Sequence, residues 1–148
     1  MNNPADHPET ETLSLHDCWA CLQSSSIGRL AVISGGKPEI FPVNFMPDNA
    51  TILFRTAPGT KLDAVTAGSP VVMEADGLND YGTIAWSVVV KGLPEHVDAA
   101  DAPFGLAQWE PGVKAHLVRI TPTEVTGRRF VINPNMGWWQ PESPRPGG

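Results

Sequence analysis

Thr83-Ile84-Ala85-Trp86-Ser87-Val88-Val89-Val90-Lys91 is a long β-forming run closed by Gly92, and a chain that carries it must supply neighbouring strands. Candidates lie on both sides. Gly28 to Ser34 and Glu39 to Met46 flank Gly35-Gly36-Lys37-Pro38, whose glycines tolerate positive φ, which predicts a hairpin. Pro47-Asp48-Asn49 then turns the chain into a third strand, Thr51 to Thr56, and Val71 to Asp76 makes a fourth before a loop from Gly77 to Gly82. Lys114 to Ile120 alternates apolar and polar residues, and after Thr121-Pro122 a last strand is expected from about Glu124 to Phe130. In the second run Phe41, Val43 and Phe45 alternate with Pro42, Asn44 and Met46, so the first set faces a core. Pro42 cannot donate to a ladder, which marks an edge, a bulge, or an open position where a ligand replaces a strand.

Helices are short. Ser14 caps one that starts near Leu15, with Leu13 placed to staple against Cys18 and with Ser24-Ser25-Ser26 at its end. Thr60 and Asp63 form a second capping box, closing at Gly68 before Pro70, and Asp98 to about Gln108 is a third candidate interrupted by Pro103 and Gly105. Closely spaced strands with short helices between them predict a mainly β fold, a small closed or nearly closed barrel, and disfavour a doubly wound parallel sheet. Residues 1–12 are polar and proline-bearing and read as a disordered tail, 13–131 as one domain, and 132–148 as a Pro/Gly-rich tail that contains Trp138-Trp139.

With 148 residues the chain suits one domain, and no apolar run approaches the roughly 20 residues of a membrane helix. The start, Met1-Asn2-Asn3-Pro4, has neither a basic head nor an apolar stretch, so a cytoplasmic protein without membrane partner is expected and the sequon Asn49-Ala50-Thr51 carries little meaning. Ten Lys and Arg against sixteen Asp and Glu give a net charge of −6, which argues against nucleic acid and for a small ligand. Cys18-Trp19-Ala20-Cys21 is spaced like a redox pair, but the helix starts about a turn too early for its first thiol to be activated. Adding His16 gives three adjacent ligands without a fourth, so no metal is expected.

Phe54-Arg55-Thr56-Ala57-Pro58-Gly59-Thr60-Lys61-Leu62 reads as an anion seat. Arg55 offers a planar fork, Thr56 and Thr60 offer hydroxyls, Lys61 a second charge, and the first helical turn free amides. An ordinary strand-to-helix joint with solvated basic residues fits this segment equally well, since no phosphate-loop signature is present.

Gly28-Arg29-Leu30-Ala31, Pro42-Val43-Asn44-Phe45, Phe54-Arg55-Thr56 with Gly59-Thr60-Lys61-Leu62, Trp86-Ser87-Val88-Val89-Val90-Lys91-Gly92 and Thr126-Gly127-Arg128-Arg129 occur in this order. Together they resemble the pyridoxamine 5'-phosphate oxidase-like flavin-binding proteins, and within these the nitroimidazole-resistance subgroup, over about Leu13 to Phe130. The resemblance implies a split β-barrel of six or more mostly antiparallel strands, a homodimer, and FMN in a shared groove. It implies that Arg55, Thr56, Thr60 and Lys61 meet the FMN phosphate, that Pro42, Val43 and Asn44 line the ring edge through backbone amides, and that Trp86 and Ser87 lie near the cofactor. The longer basic substrate signature of the pyridoxamine-phosphate oxidases proper is missing, so vitamin B6 phosphate is not the expected substrate.

The function implied is an FMN-dependent oxidoreductase that passes electrons from a reduced nicotinamide donor to a small electrophilic molecule. Alternatives are a flavin- or haem-binding storage or sensor module without turnover, and a deazaflavin-dependent reductase of the same fold. No residue is singled out as catalytic: His116, on an alternating strand, reads as a packed or surface histidine, His96 is given no role, Trp86 reads by default as a core tryptophan, and Glu74 and Asp76 share a face that reads as solvated.

Overall fold

The computed structural model describes residues 10–56, 59, 63, 67–98 and 116–132. Among them lie strands β1 (Thr10–Thr12), β2 (Ile27–Ser34), β3 (Lys37–Asp48), β4 (Thr51–Thr56), β5 (Val71–Leu78), β6 (Ile84–Val97) and β7 (His116–Val131), and helix α1 (Leu15–Gln23). No helix among the described residues is long and apolar enough to cross a membrane. The proposed helix from Thr60 falls largely outside the described residues, as does the one from Asp98.

All strand pairs are antiparallel, in the order β1-β7-β4-β3-β2-β5-β6, and a further β6–β7 ladder closes the ring. This is a split barrel, mainly β, as the strand pattern predicts. Alternation fills its interior: Leu30 from β2, Phe45 from β3, Ile52 and Phe54 from β4, Met73 from β5, Val88 and Val90 from β6, and Val118 and Ile120 from β7 are all buried.

The split is visible along β7. Residues 117–120 pair with β6 and also with β4, and residues 128–130 pair with β6 and also with β1, so β4 and β1 lie on the same side of β7 with a gap between them. Helix α1 closes that gap. Ser14 caps it by accepting from the Asp17 N–H at 3.1 Å, and its Cys18 and Leu22 enter the core. Leu13 donates to the Gly127 carbonyl at 2.9 Å, and the Leu13 and Cys18 side chains meet over Gly127.

Three observations differ from the sequence reading. Thr10–Thr12, read as the end of a tail, forms β1 because β7 offers a free ladder edge there, with Glu11 3.6 Å from Arg129. The two strands expected around Thr121-Pro122 are one strand, β7. The register passes from Lys91↔Glu124 to Gly92↔Pro122, a bulge that leaves Thr123 out of the ladder, and Pro122 sits where the pairing is already irregular. For the same reason β6 continues past Gly92 to Val97.

Candidate functional site

Strand β3 changes partner halfway. It pairs with β2 through residues 37–44 and with β4 through 45–48, and Phe45 touches both, donating to the Ser26 carbonyl at 2.9 Å while pairing with Phe54. β2 and β4 therefore flank opposite sides of β3, and among the described residues the β4-side edge of residues 37–44 has no strand. Backbone polarity alternates along a strand, so with Phe45 N–H aimed at β2, Val43 and Phe41 aim there too, while Pro42 and Asn44 aim at the open edge. Pro38 and Pro42 thus sit where a missing N–H breaks no ladder.

This geometry refines the expectation for residues 42–44. Val43 is a core residue whose amide serves β2, so it offers neither side chain nor N–H to the edge. Asn44 aims its N–H there, where no described strand pairs with it, and its side chain outward, and Pro42 presents its carbonyl and an exposed ring.

Arg55 stands one step beyond the last β3–β4 pair, Phe45↔Phe54, at the register level of Asn44 and on the same outer face. It is half-buried. Thr56 turns the other way, is buried at 4% exposure, and pairs with His116, so its hydroxyl is not on the face of Arg55. The expectations for Thr60 and Lys61 lie outside the described residues. Nearby, Asp63 N–H donates to Gly59 O at 2.9 Å and Ala67 N–H to Asp63 O at 3.1 Å, both one helical turn back.

The outer face continues from β3 over β2 to β5 and β6. Arg29 pairs with Pro42 on one side and Glu74 on the other, and its guanidinium reaches Glu74 at 3.3 Å and Asp76 at 2.9 Å. No role for Arg29 beyond its motif is legible in the sequence, because only the β2–β5 register brings it between the two carboxylates. Burial raises the Glu74 carboxyl above the usual glutamate range, and the hydrogen bond and charge of Asp76 add to this while Arg29 opposes it.

Ser87 lies opposite Asp76 on this face. Trp86 points inward, packs against the core, and lays its indole across Gly77, where a β-carbon would come within 2.6 Å of Nε1. Glu74, Asp76, Leu78, Ala85, Trp86, Ser87, Phe130 and Ile132 border a groove of about 570 Å³.

Both cysteines are free, Cys18 buried in the core and Cys21 half-buried, and burial is the main cause that pushes both thiols up. Among the described residues no three His, Cys, Asp or Glu could hold a metal ion. The rings of His96 and His116 meet edge to face at 6.0 Å, a contact across the β6–β7 ladder.

Residues 14–129 match the sequence model of the family described as Pyridoxamine 5'-phosphate oxidase. The uncharacterized protein Rv3129 of Mycobacterium tuberculosis is 39% identical over 95 residues, which cover 60% of this chain and 84% of that one. A solved FAD binding protein from Mycobacterium smegmatis superposes with a TM-score of 0.70 at 38% identity, covering 83% of this chain and all of that one (100%). A Bacteroides thetaiotaomicron protein assigned to 5-nitroimidazole antibiotic resistance shares the fold, with a TM-score of 0.64 at 13% identity over 82% of this chain and 89% of its own. The match spans the barrel from the cap of α1 to the β1-paired end of β7, and by it this chain belongs to the pyridoxamine 5'-phosphate oxidase family.

Proposed function

We propose that this protein binds a flavin nucleotide, FMN or FAD, against the open edge of β3, and uses it as an oxidoreductase. An open strand edge and a cation at one register level support the reading most: among the described residues no strand pairs with the Asn44 N–H, and Arg55 lies beside it on the outer face. An Asn44 N–H suits an acceptor on the flavin ring, and the Arg55 fork suits its phosphate. Lys61 and Thr60, next along the chain, complete the proposed phosphate set. The similar Mycobacterium smegmatis protein binds FAD, which contains the same riboflavin phosphate.

When bound, the flavin supplies the electron transfer, from a reduced nicotinamide nucleotide to a small electrophilic molecule. The chain's part is to orient and shield it. Arg55 fixes the phosphate, the β3 edge fixes the ring, and Trp86 with Ser87 shapes the neighbouring strand. We further propose a homodimer, because Ile33 and Ile40, 61% and 67% exposed, form with Pro38 an apolar stripe on the outer face of β2 and β3 that a second copy covers.

The purified protein is expected to carry a flavin spectrum, and release of the cofactor followed by mass measurement identifies it. Anaerobic NADPH or NADH should bleach the band with turnover of an added acceptor; a bound flavin that neither reductant touches would leave a binding module in place of an enzyme. Arg55→Ala should weaken FMN and FAD about tenfold to a hundredfold while riboflavin changes little, since a charge-assisted hydrogen bond is worth roughly 1.5–3 kcal/mol. Equal losses for riboflavin and FMN would sink the phosphate assignment. Ile40→Asp should convert the dimer to monomer in sedimentation, and a wild-type mass of one chain would remove the dimer outright.

A further inference from the structure

Helix α1 covers the gap in the barrel wall but leaves a cleft at its side. Leu15 and Trp19, one turn apart on α1, border it together with Pro122 and Val125 of β7 and with Ala50 of the β3–β4 turn. Its volume of about 340 Å³ stands at the small end of the roughly 300–1,000 Å³ typical of small-molecule sites.

The β7 wall of this cleft is a strand edge without a strand. Pairing with β4 ends at Ile120 and pairing with β1 begins at Arg128, so among the described residues the stretch between has only β6 beside it. Gly127 shows which backbone groups aim into the gap, because its carbonyl accepts there from the Leu13 N–H at 2.9 Å. Direction alternates along a strand, and the register is regular from Glu124 to Gly127. Val125 therefore aims both its N–H and its C=O into the gap, while Thr126 serves β6. Among the described residues no backbone hydrogen bond reaches Val125 on that side. A donor and an acceptor of one extended residue thus stand side by side at the wall of a largely apolar cleft. The neighbouring polar side chains are engaged elsewhere: Thr123 Oγ1 donates to the Lys91 carbonyl at 3.2 Å, and Glu124 lies 3.6 Å from Lys91 Nζ.

We propose that this cleft binds a small uncharged planar heterocycle with a donor and an acceptor on neighbouring ring atoms, as in a cyclic amide or an aminoazine. The Val125 N–H and C=O take its polar edge, and the half-buried Trp19 indole offers its ring a flat apolar wall. Charge narrows the class further. Glu124 is the one charged residue among the described lining, so it opposes an anion, and its pairing with Lys91 weakens its pull on a cation. A phosphate-bearing flavin is thereby unsuited to this place. The inference does not rest on the flavin reading, and the cleft shares no lining residue with the groove beside Trp86 and Ser87.

A titration of the full-length, nitrogen-15-labelled protein with 2-quinolone, a two-ring cyclic amide, tests it by nuclear magnetic resonance. The Val125 amide and the Trp19 indole signals should move together, and those of the β3 edge at Asn44 should stay. N-methyl-2-quinolone keeps the shape and lacks the donor, so it should bind about fivefold more weakly, as one lost hydrogen bond requires. Leu15→Glu, at a position 60% exposed and at the start of α1 where an acidic residue suits the helix, should weaken 2-quinolone about tenfold with the rest of the spectrum in place. No shift at Val125 with millimolar 2-quinolone, shifts confined to the β3 edge, equal binding of the two quinolones, or unchanged binding in Leu15→Glu would each overturn the proposal.

Discussion

At Gly127 a single missing atom lets the helix seal the barrel. A β-carbon there would lie 2.6 Å from Cys18 Sγ and 3.1 Å from Leu13 Cδ1, and both neighbours are anchored in the core. Gly127→Ala should therefore cost about 1–3 kcal/mol of stability by overpacking, read as a lower urea midpoint at unchanged slope. Gly77 is different in kind, because the atoms it makes room for belong to one side chain, Trp86. Gly77→Ala should displace that indole and shift its emission with a smaller loss of stability. Glu74 gives the residue scale a pH signature. Its carboxyl is raised in the folded state, so the native protein holds that proton to higher pH than the unfolded chain does. The stability this confers is present in acid and lost as pH rises through the raised value. Glu74→Gln, which keeps the neutral shape, should flatten that fall when urea midpoints are compared between about pH 4.5 and about pH 7.5. The sequence placed Glu74 and Asp76 on one face by counting in twos, but Arg29, 45 and 47 positions away from them, could not be read from it.

Among the elements, the tight turns carry the plainest physics. Gly35 and Gly36 turn β2 into β3 at φ of 57° and 77°, and the next turn makes the same left-handed demand of Asn49 and Ala50, at 49° and 60°. Asparagine tolerates that region, whereas alanine pays for it. Ala50→Gly should raise stability by about 1 kcal/mol in urea unfolding, and an unchanged midpoint would show that the left-handed backbone there carries no strain. Strands bounded by glycine, proline or asparagine were legible. Thr51–Thr56 lies where Pro47-Asp48-Asn49 and Pro58-Gly59 predict it, and β5 starts after Pro70 as expected. Signals failed where pairing decides. Pro122 reads as a stop, yet the bulge opposite Lys91 and Gly92 absorbs it, and the three polar residues of β1 become a strand only because β7 is there. The site followed the same rule. Pro42 announced an open edge by its missing N–H, while the direction of the Val43 and Asn44 amides follows from one register contact, Phe45 to Ser26.

For the whole molecule, the unequal treatment of the two cysteines shows how α1 is used. It lays Cys18 against Gly127 and leaves Cys21 half in view, both thiols raised by burial. Iodoacetamide should therefore label the native protein slowly at neutral pH and the urea-unfolded chain quickly, and fast native labelling would mean that the helix opens. Strand β7 binds the remaining parts, since it pairs with β1, β4 and β6 along its length and is the last strand of the described chain. Order of synthesis gives that a consequence. Until residues 116–131 emerge from the ribosome, β4 and β6 have unmatched edges and the ring cannot shut, so the nascent chain waits with its most β-prone run unprotected. Closure then demands contacts between segments far apart in sequence, which is slow. A chain stopped before His116 should be a sticky fragment, and this barrel should lean on chaperones in the interval before its final strand arrives.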